Sequence, residues 1–316
     1  MSTINPFLVP LHHLKALAQH GALSFCVCVW LIGVFGNSQN VMAAQMSVVK
    51  SKPVIVWGVN SGPPFHIVSG PYQLQGICDE LIEAVHRQLP QYRKKIVVMP
   101  QPRISEALKA REELCFPCMI HPMQPSDRAS FTLPTHSYRP HQIITTKKVA
   151  TQMQQRYRLP IPLEVLLADP DFRFGYPKGR RFGSLQPLIE RFSQSHPPFT
   201  RSGDEGVAAI LEMILAGRLD YTLDYAMASY YGELLNPDVQ FELLPIAENQ
   251  HQVVLGGIGC GTNAWSAQLI LDINQKIDKI RQDPEFLNIL KKWQQAKDPD
   301  YLDFNRQQLK RAQPRE

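Results

Sequence analysis

A strand-helix-strand-helix order occurs twice along this chain, and few architectures accept that pattern. The run Lys52 to Val59 is apolar and β-branched and is followed by a Gly- and Pro-rich turn at Ser61 to Phe65, so a buried strand leads into a loop. From Gly76 onward Ile77, Leu81, Val85 and Leu89 recur every four positions, which predicts an amphipathic helix. Ile96 to Met99 predicts a second strand and Ile104 to Ala110 a second helix. The order begins again with a strand at Phe172 to Tyr176 and a helix over Ser184 to Phe192. A helical stripe of Val207, Ile210, Leu211, Ile214 and Leu215 then ends at Gly217, before a strand at Leu219 to Leu223. Strands alternating with helices pair in parallel, so each half predicts an α/β lobe.

The β-prone stretches around His141 to Lys148 and Ala247 to Val254 read as two crossings between the lobes, and two crossings suggest a hinge. Trp265 to Trp293 closes the regular part. Ile270, Ile273, Ile277 and Ile280 share one face there, and Asp283-Pro284 reads as a helix N-cap with its first-turn proline. The tail over 298–316 is mostly polar and is expected to fray.

Residues 1–43 hold one Lys or Arg, Lys15, no acid, and an apolar run from Gly21 to Gly36. The run is short for a membrane span of about 20 residues and leads to Val41-Met42-Ala43, the small-x-small pattern read by signal peptidase. Cleavage is expected after Ala43 or Ala44, leaving an exported periplasmic chain; an uncleaved anchor is the alternative. Phe25 before Cys26 argues against a lipobox. Without this segment the formal net charge of +5 falls to +4, spread without long runs, and nothing points to nucleic acid.

Cys78, Cys115, Cys118 and Cys260 remain beyond the signal, an even number that permits disulfides in an oxidising compartment. Cys115 and Cys118 have the spacing of a redox motif but precede Met119-Ile120 on an expected strand rather than opening a helix. Residues three apart on a strand lie about 10 Å from each other on opposite faces, beyond the roughly 7 Å reach of a disulfide. Either Phe116-Pro117 turns and the two bond, or each has another structural role. The histidines show no metal-binding spacing, so no metal or cofactor is expected. Pro177 to Ser184 carries glycines and basic residues before a helix but lacks the Gly-Lys-Ser/Thr of a P-loop, and reads as a cleft loop.

Taken in order, Pro63-Pro64-Phe65, Gly76 with Asp79-Glu80-Leu81, Ser126-Asp127-Arg128 with Phe131 and Tyr138, and Gly217-Arg218-Leu219-Asp220 with Asp224 resemble extracellular solute-binding proteins of family 3. These are the amino-acid-binding components of ABC importers. The resemblance covers roughly 52–293 and implies a type II periplasmic-binding-protein fold: two α/β lobes joined by two hinge strands, with ligand held in the cleft. Lobe 1 would combine 52–146 with 249–297, and lobe 2 would span 147–248.

The same resemblance implies four ligand-binding residues. Arg128 would pair with a ligand carboxylate, for which a planar guanidinium fork is well shaped. Asp224 would hold an ammonium, Phe65 would cover the ligand and exclude water, and Ser184, after Gly183 at a helix start, would offer backbone N–H groups to the carboxylate. The family usually has a Thr shortly before the binding Arg. Met123 or Gln124 stands there in this chain, which puts standard amino-acid specificity in question and leaves a peptide, polyamine or other organic acid open.

The expected function is capture of a small polar ligand, an amino acid or related carboxylate, by a monomer that delivers it to an inner-membrane ABC permease. A sensor module for a membrane receptor is the alternative. So is a dehydratase-like enzyme on the same fold using Glu80, Glu205 or Asp224, although no paired catalytic constellation selects it and no enzyme is expected.

Overall fold

In the computed structural model, which describes residues 51–122, 127–203 and 205–313, strand β1 (Val54–Val59) buries Ile55 and Trp57 completely. The signal and cleavage point expected at 1–43 lie outside the described residues. After β1 come α1 (Ile77–Gln88), β2 (Arg93–Val98), α2 (Gln101–Lys109), β3 (Cys115–Ile120), β4 (Ser130–Phe131) and β5 (His136–Tyr138). The chain then enters the second lobe with β6 (Gln142–Thr146), α3 (Lys147–Arg156), α4 (Leu163–Ala168), β7 (Gly175–Pro177) and α5 (Gln186–Ser193). That lobe continues through β8 (Phe199–Arg201), α6 (Gly206–Leu215), β9 (Tyr221–Asp224), α7 (Ala226–Leu235) and β10 (Phe241–Leu244). The return strand β11 (Val254–Cys260) leads to α8 (Ala264–Gln275), α9 (Ile277–Arg281), α10 (Pro284–Gln294) and α11 (Tyr301–Arg311).

The lobe 1 sheet has the order β2-β1-β3-β11-β4, with β5 also on β11. β1 pairs in parallel with β2 and β3, as the alternating pattern requires, whereas β11 runs antiparallel to β3, β4 and β5. Lobe 2 holds β6 between β10 and β9, and a small parallel β7-β8 pair. Packing at the lobe junction is continuous: Tyr225, Met227 and Tyr231 of lobe 2 belong to the same buried cluster as Trp57, Phe65 and Trp293 of lobe 1.

The stretch read as the first crossing contains a paired strand. Gln142–Thr146 is an interior strand of the lobe 2 sheet, with Ile143 and Ile144 fully buried, so the first crossing occupies 139–141. A β-branched run reads alike whether it links lobes or pairs within one.

Within the polar tail, 301–311 are helical where fraying was expected. Residues 301–311 form α11, whose Tyr301, Asn305 and Leu309 fall at four-residue spacing on one buried face. Asn305 Oδ1 accepts from the backbone N–H and the hydroxyl of Ser137 at 2.8 and 2.9 Å, and the Tyr301 hydroxyl donates to Ser137 O at 2.8 Å. Phe304 lies 3.9 Å from the Arg139 guanidinium carbon, so α11 braces the strand just ahead of the crossing. Asn305→Ala leaves the buried Ser137 N–H unmet and should cost about 2 kcal/mol. Urea melts check this; an unchanged midpoint would mean α11 contributes no such brace.

The cysteines resolve as two disulfides, Cys78–Cys118 and Cys115–Cys260. Cys115 and Cys118 lie on extended β3, and each finds a different partner. Cys115 faces Cys260 across the β3–β11 pair, and Cys118 reaches Cys78 on α1.

Candidate functional site

Phe65 is placed by the start of α1. Its carbonyl accepts the Cys78 N–H at 2.9 Å, and the Asp79 carboxylate accepts the N–H groups of Gly76 and Ile67, each at 3.0 Å. A Cβ on Gly76 would come within 2.1 Å of the Phe65 carbonyl oxygen, so glycine is needed for this close approach. The Phe65 ring is thereby held against Tyr138 of lobe 1 and Tyr225 of lobe 2, at centroid distances of 5.7 and 5.9 Å.

Asp224 ends β9 and is buried, with 2% of its surface exposed. It accepts the Tyr225 N–H at 2.7 Å and forms an ion pair with Arg180. Burial pushes the pKa of Asp224 up, with the Arg180 charge opposing that rise. Arg180 comes from the loop after β7. Its N–H closes a turn onto the Pro177 carbonyl at 3.0 Å, and Gly179 takes φ +87° inside that turn. The turned loop sends the guanidinium over the Phe65 ring at 4.9 Å and the Tyr225 ring at 5.5 Å.

His141, on the first crossing, stacks on Tyr225 at 4.1 Å, and its carbonyl accepts from Asn249 Nδ2 at 3.0 Å, tying the two crossings together. Burial, aided by the Arg180 charge, drives its pKa well below the usual histidine range, so the ring is neutral. Burial raises Tyr138 and Tyr225 likewise. Within this group Arg180 Nε, Tyr225 Oη, His141 Nε2 and Asn249 Oδ1 are buried without a hydrogen-bond partner among the described residues. Buried polar groups are nearly always satisfied, so several in one place mark a site built to meet something polar. Among the described residues no group of three or more His, Cys, Asp or Glu is arranged to hold a metal.

The structure therefore joins Phe65 and Asp224 but gives Asp224 a partner other than Arg128. Ser130 pairs with Cys260 and Tyr138 with Val254, so the β4–β5 segment starts at the sheet end remote from the crossing. Arg128 is exposed, two residues before Ser130. Ser184 is also exposed, in a short 3-10 turn ahead of α5, and its hydroxyl bonds to the Gln252 side chain of the second crossing. The sequence reading missed Arg180, Tyr225, His141 and Asn249. Its one signal was the basic, glycine-bearing loop read as lining a cleft. A second contact spans the lobes: Glu205, ahead of α6, accepts from the Ser69 hydroxyl at 2.7 Å, and its N–H donates to Ser61 Oγ at 3.2 Å.

No family model matches the chain, and no curated protein matches it. Solved structures do match. An ancestral arginine-binding protein bound to arginine is 16% identical with a TM-score of 0.56, over 77% of this chain and 99% of that one. A putative L-cystine ABC transporter from Listeria monocytogenes is 14% identical with a TM-score of 0.57, over 79% and 98%. A histidine kinase sensor domain with similarity to periplasmic binding proteins is 15% identical with a TM-score of 0.55, over 77% and 96%. These likenesses establish the fold: the chain has the two-lobed α/β architecture of type II periplasmic binding proteins.

Proposed function

We propose that this chain is an exported solute-binding protein that encloses a small polar ligand, an amino acid or related carboxylate, between its lobes and passes it to an inner-membrane ABC permease. The observation that carries this reading is the set of unpartnered buried polar atoms on Arg180, Tyr225, His141 and Asn249, gathered where the two crossings meet the cleft. Phe65 and Asp224 are the residues from the sequence reading that we place in this site; Arg128 and Ser184 lie outside it in our reading. The neighbours named for arginine binding and for cystine transport support the ligand class. Export is supported by the two disulfides, which persist in oxidising compartments, and by the apolar segment before Val41-Met42-Ala43. The sensor-domain neighbour favours a second reading, in which the same closure signals to a membrane receptor.

A thermal-shift screen of amino acids, short peptides and organic acids on refolded protein tests the binding reading. Ligand at 100 times its Kd adds about 2.7 kcal/mol, a rise of several degrees in Tm for a chain of this size. Arg128→Ala should keep the rise. The reading is lost if no compound raises Tm and mass spectrometry finds no small molecule released on denaturing protein from its native host.

A further inference from the structure

We infer that Arg180 is the carboxylate receptor of the cleft, and that by pairing with Asp224 it selects a carboxylate ligand carrying no ammonium group. The inference rests on the binding role proposed above and narrows its ligand from an amino acid or related carboxylate to the carboxylate without an ammonium, unlike the arginine and cystine of the neighbours. Arg180 belongs to lobe 2, yet its guanidinium lies over the ring of Phe65 from lobe 1, so it occupies the boundary that a ligand must cross. One Nη donates to Asp224, while Nε is buried and has no partner among the described residues. A buried guanidinium N–H left without an acceptor is costly, and the planar fork is shaped for a carboxylate. A carboxylate at Nε completes Arg180 without displacing Asp224. Tyr225 Oη and His141 Nε2, also unpartnered, offer it further hydrogen-bonding atoms.

A zwitterion fits this arrangement poorly. Asp224 is the carboxylate that would receive an ammonium, but its Oδ1 already accepts from Arg180 and from the Tyr225 N–H, and its charge is paired with the Arg180 guanidinium. Among the described residues the charged groups acting on Tyr225 are Arg180 and Asp224, and the one acting on His141 is Arg180. An ammonium entering here meets the Arg180 charge with the Asp224 charge already paired to it, and a guanidinium or polyamine meets the same repulsion.

Matched probes test the idea on the full mature chain, unfolded and refolded to strip any bound compound. The acids hexanoate, glutarate and succinate are compared with L-norleucine, L-glutamate and L-aspartate, and with putrescine and L-arginine as cations. At least one plain acid should bind 10-fold or more tightly than its amino counterpart. Arg180→Ala should weaken that acid at least 100-fold, and Arg180→Lys should restore part of the loss because charge returns without the fork. Asp224→Asn should leave the affinity within a few-fold or improve it. Near-UV circular dichroism confirms that each variant is folded. The inference falls if the binding compounds are amino acids or amines, weakened 100-fold by Asp224→Asn and unharmed by Arg180→Ala; Arg180 would then be displaced by ligand, and the binding role would stand. Absence of binding by every probe overturns the carboxylate inference, and the release experiment above then decides the binding role separately.

Discussion

Reduction of the two disulfides should lower the stability of the folded chain by more than any single side-chain truncation described here. Cys78–Cys118 closes a loop with a sequence separation of 40, and Cys115–Cys260 one of 145. In the chain-entropy picture such closures stabilise by about 4 and about 5 kcal/mol, because the cross-link removes freedom from the unfolded chain. The loops overlap at 115–118, so the combined loss should exceed either value and fall short of their sum. Both bonds converge on β3, fixing it to α1 on one side and to β11 on the other. Cys115 and Cys260 are both fully buried, so a non-perturbing phosphine should reach that bond only through opening of the fold, whereas Cys118 of the other bond is only partly buried. Equilibrium urea unfolding with and without reductant gives the size of the effect. Cys115→Ala with Cys260→Ala should lose more than Cys78→Ala with Cys118→Ala. Superimposable transitions for oxidised and fully reduced protein would remove the disulfides from the account of stability.

How far the sequence was legible follows from how local each signal is. The stripe Ile77, Leu81, Val85, Leu89 and the stripe Val207 to Leu215 lie within single helices, and both appear as α1 and α6 with Gly217 at φ +65° just past the second. Asp283, read as an N-cap, accepts the N–H groups of Glu285 and Phe286. The disulfide pairing was not legible, because it depends on the register that sets Cys115 opposite Cys260. The site was half legible. Phe65 and Asp224 sit in short motifs that carry their own turn or strand end, whereas Arg180 acquires its role from partners at positions 65 and 224 that only the fold assembles. Arg128 has the right chemistry in a motif of the right order, and we place it outside the proposed site because Ser130, two residues on, pairs with Cys260. The helical tail had a readable signal: Tyr301, Asn305 and Leu309 at four-residue spacing, masked by the polar residues around them.

Acidification should destabilise the protein well above the pH at which carboxylates titrate, through histidines buried in neutral form. His136 is fully buried, and burial pushes its pKa down to about 3. Thr135 Oγ1 lies 2.9 Å from its Nδ1, the Tyr138 hydroxyl bonds its Nε2, and the Phe286 ring stands at 6.0 Å, so among the described residues neither ring nitrogen meets a carboxylate that would favour its charge. Gly256 backs it closely: a Cβ there would come 2.3 Å from Nε2. In the unfolded chain the same histidine titrates near 6.5. Between about 6.5 and 3 the unfolded state therefore binds more protons than the folded one, and stability falls as pH falls. The contribution is intact above the unfolded value and has fallen by about 3 kcal/mol at pH 4. His141 acts in the same direction, its burial reinforced by Arg180. Asp224 opposes them, because burial raises its folded pKa and its protonation on acidification favours the folded state. His86, whose pKa burial also lowers, adds to the loss, and three histidines against one acid with a raised pKa leave a net loss. Urea midpoints at pH 7, 6, 5 and 4 should decline steadily, and His136→Asn, whatever its stability at pH 7, should flatten the decline by about one proton's worth of slope. A midpoint unchanged from pH 7 to 4, or a slope unaltered in the variant, would mean that His136 takes up its proton inside the fold at ordinary cost.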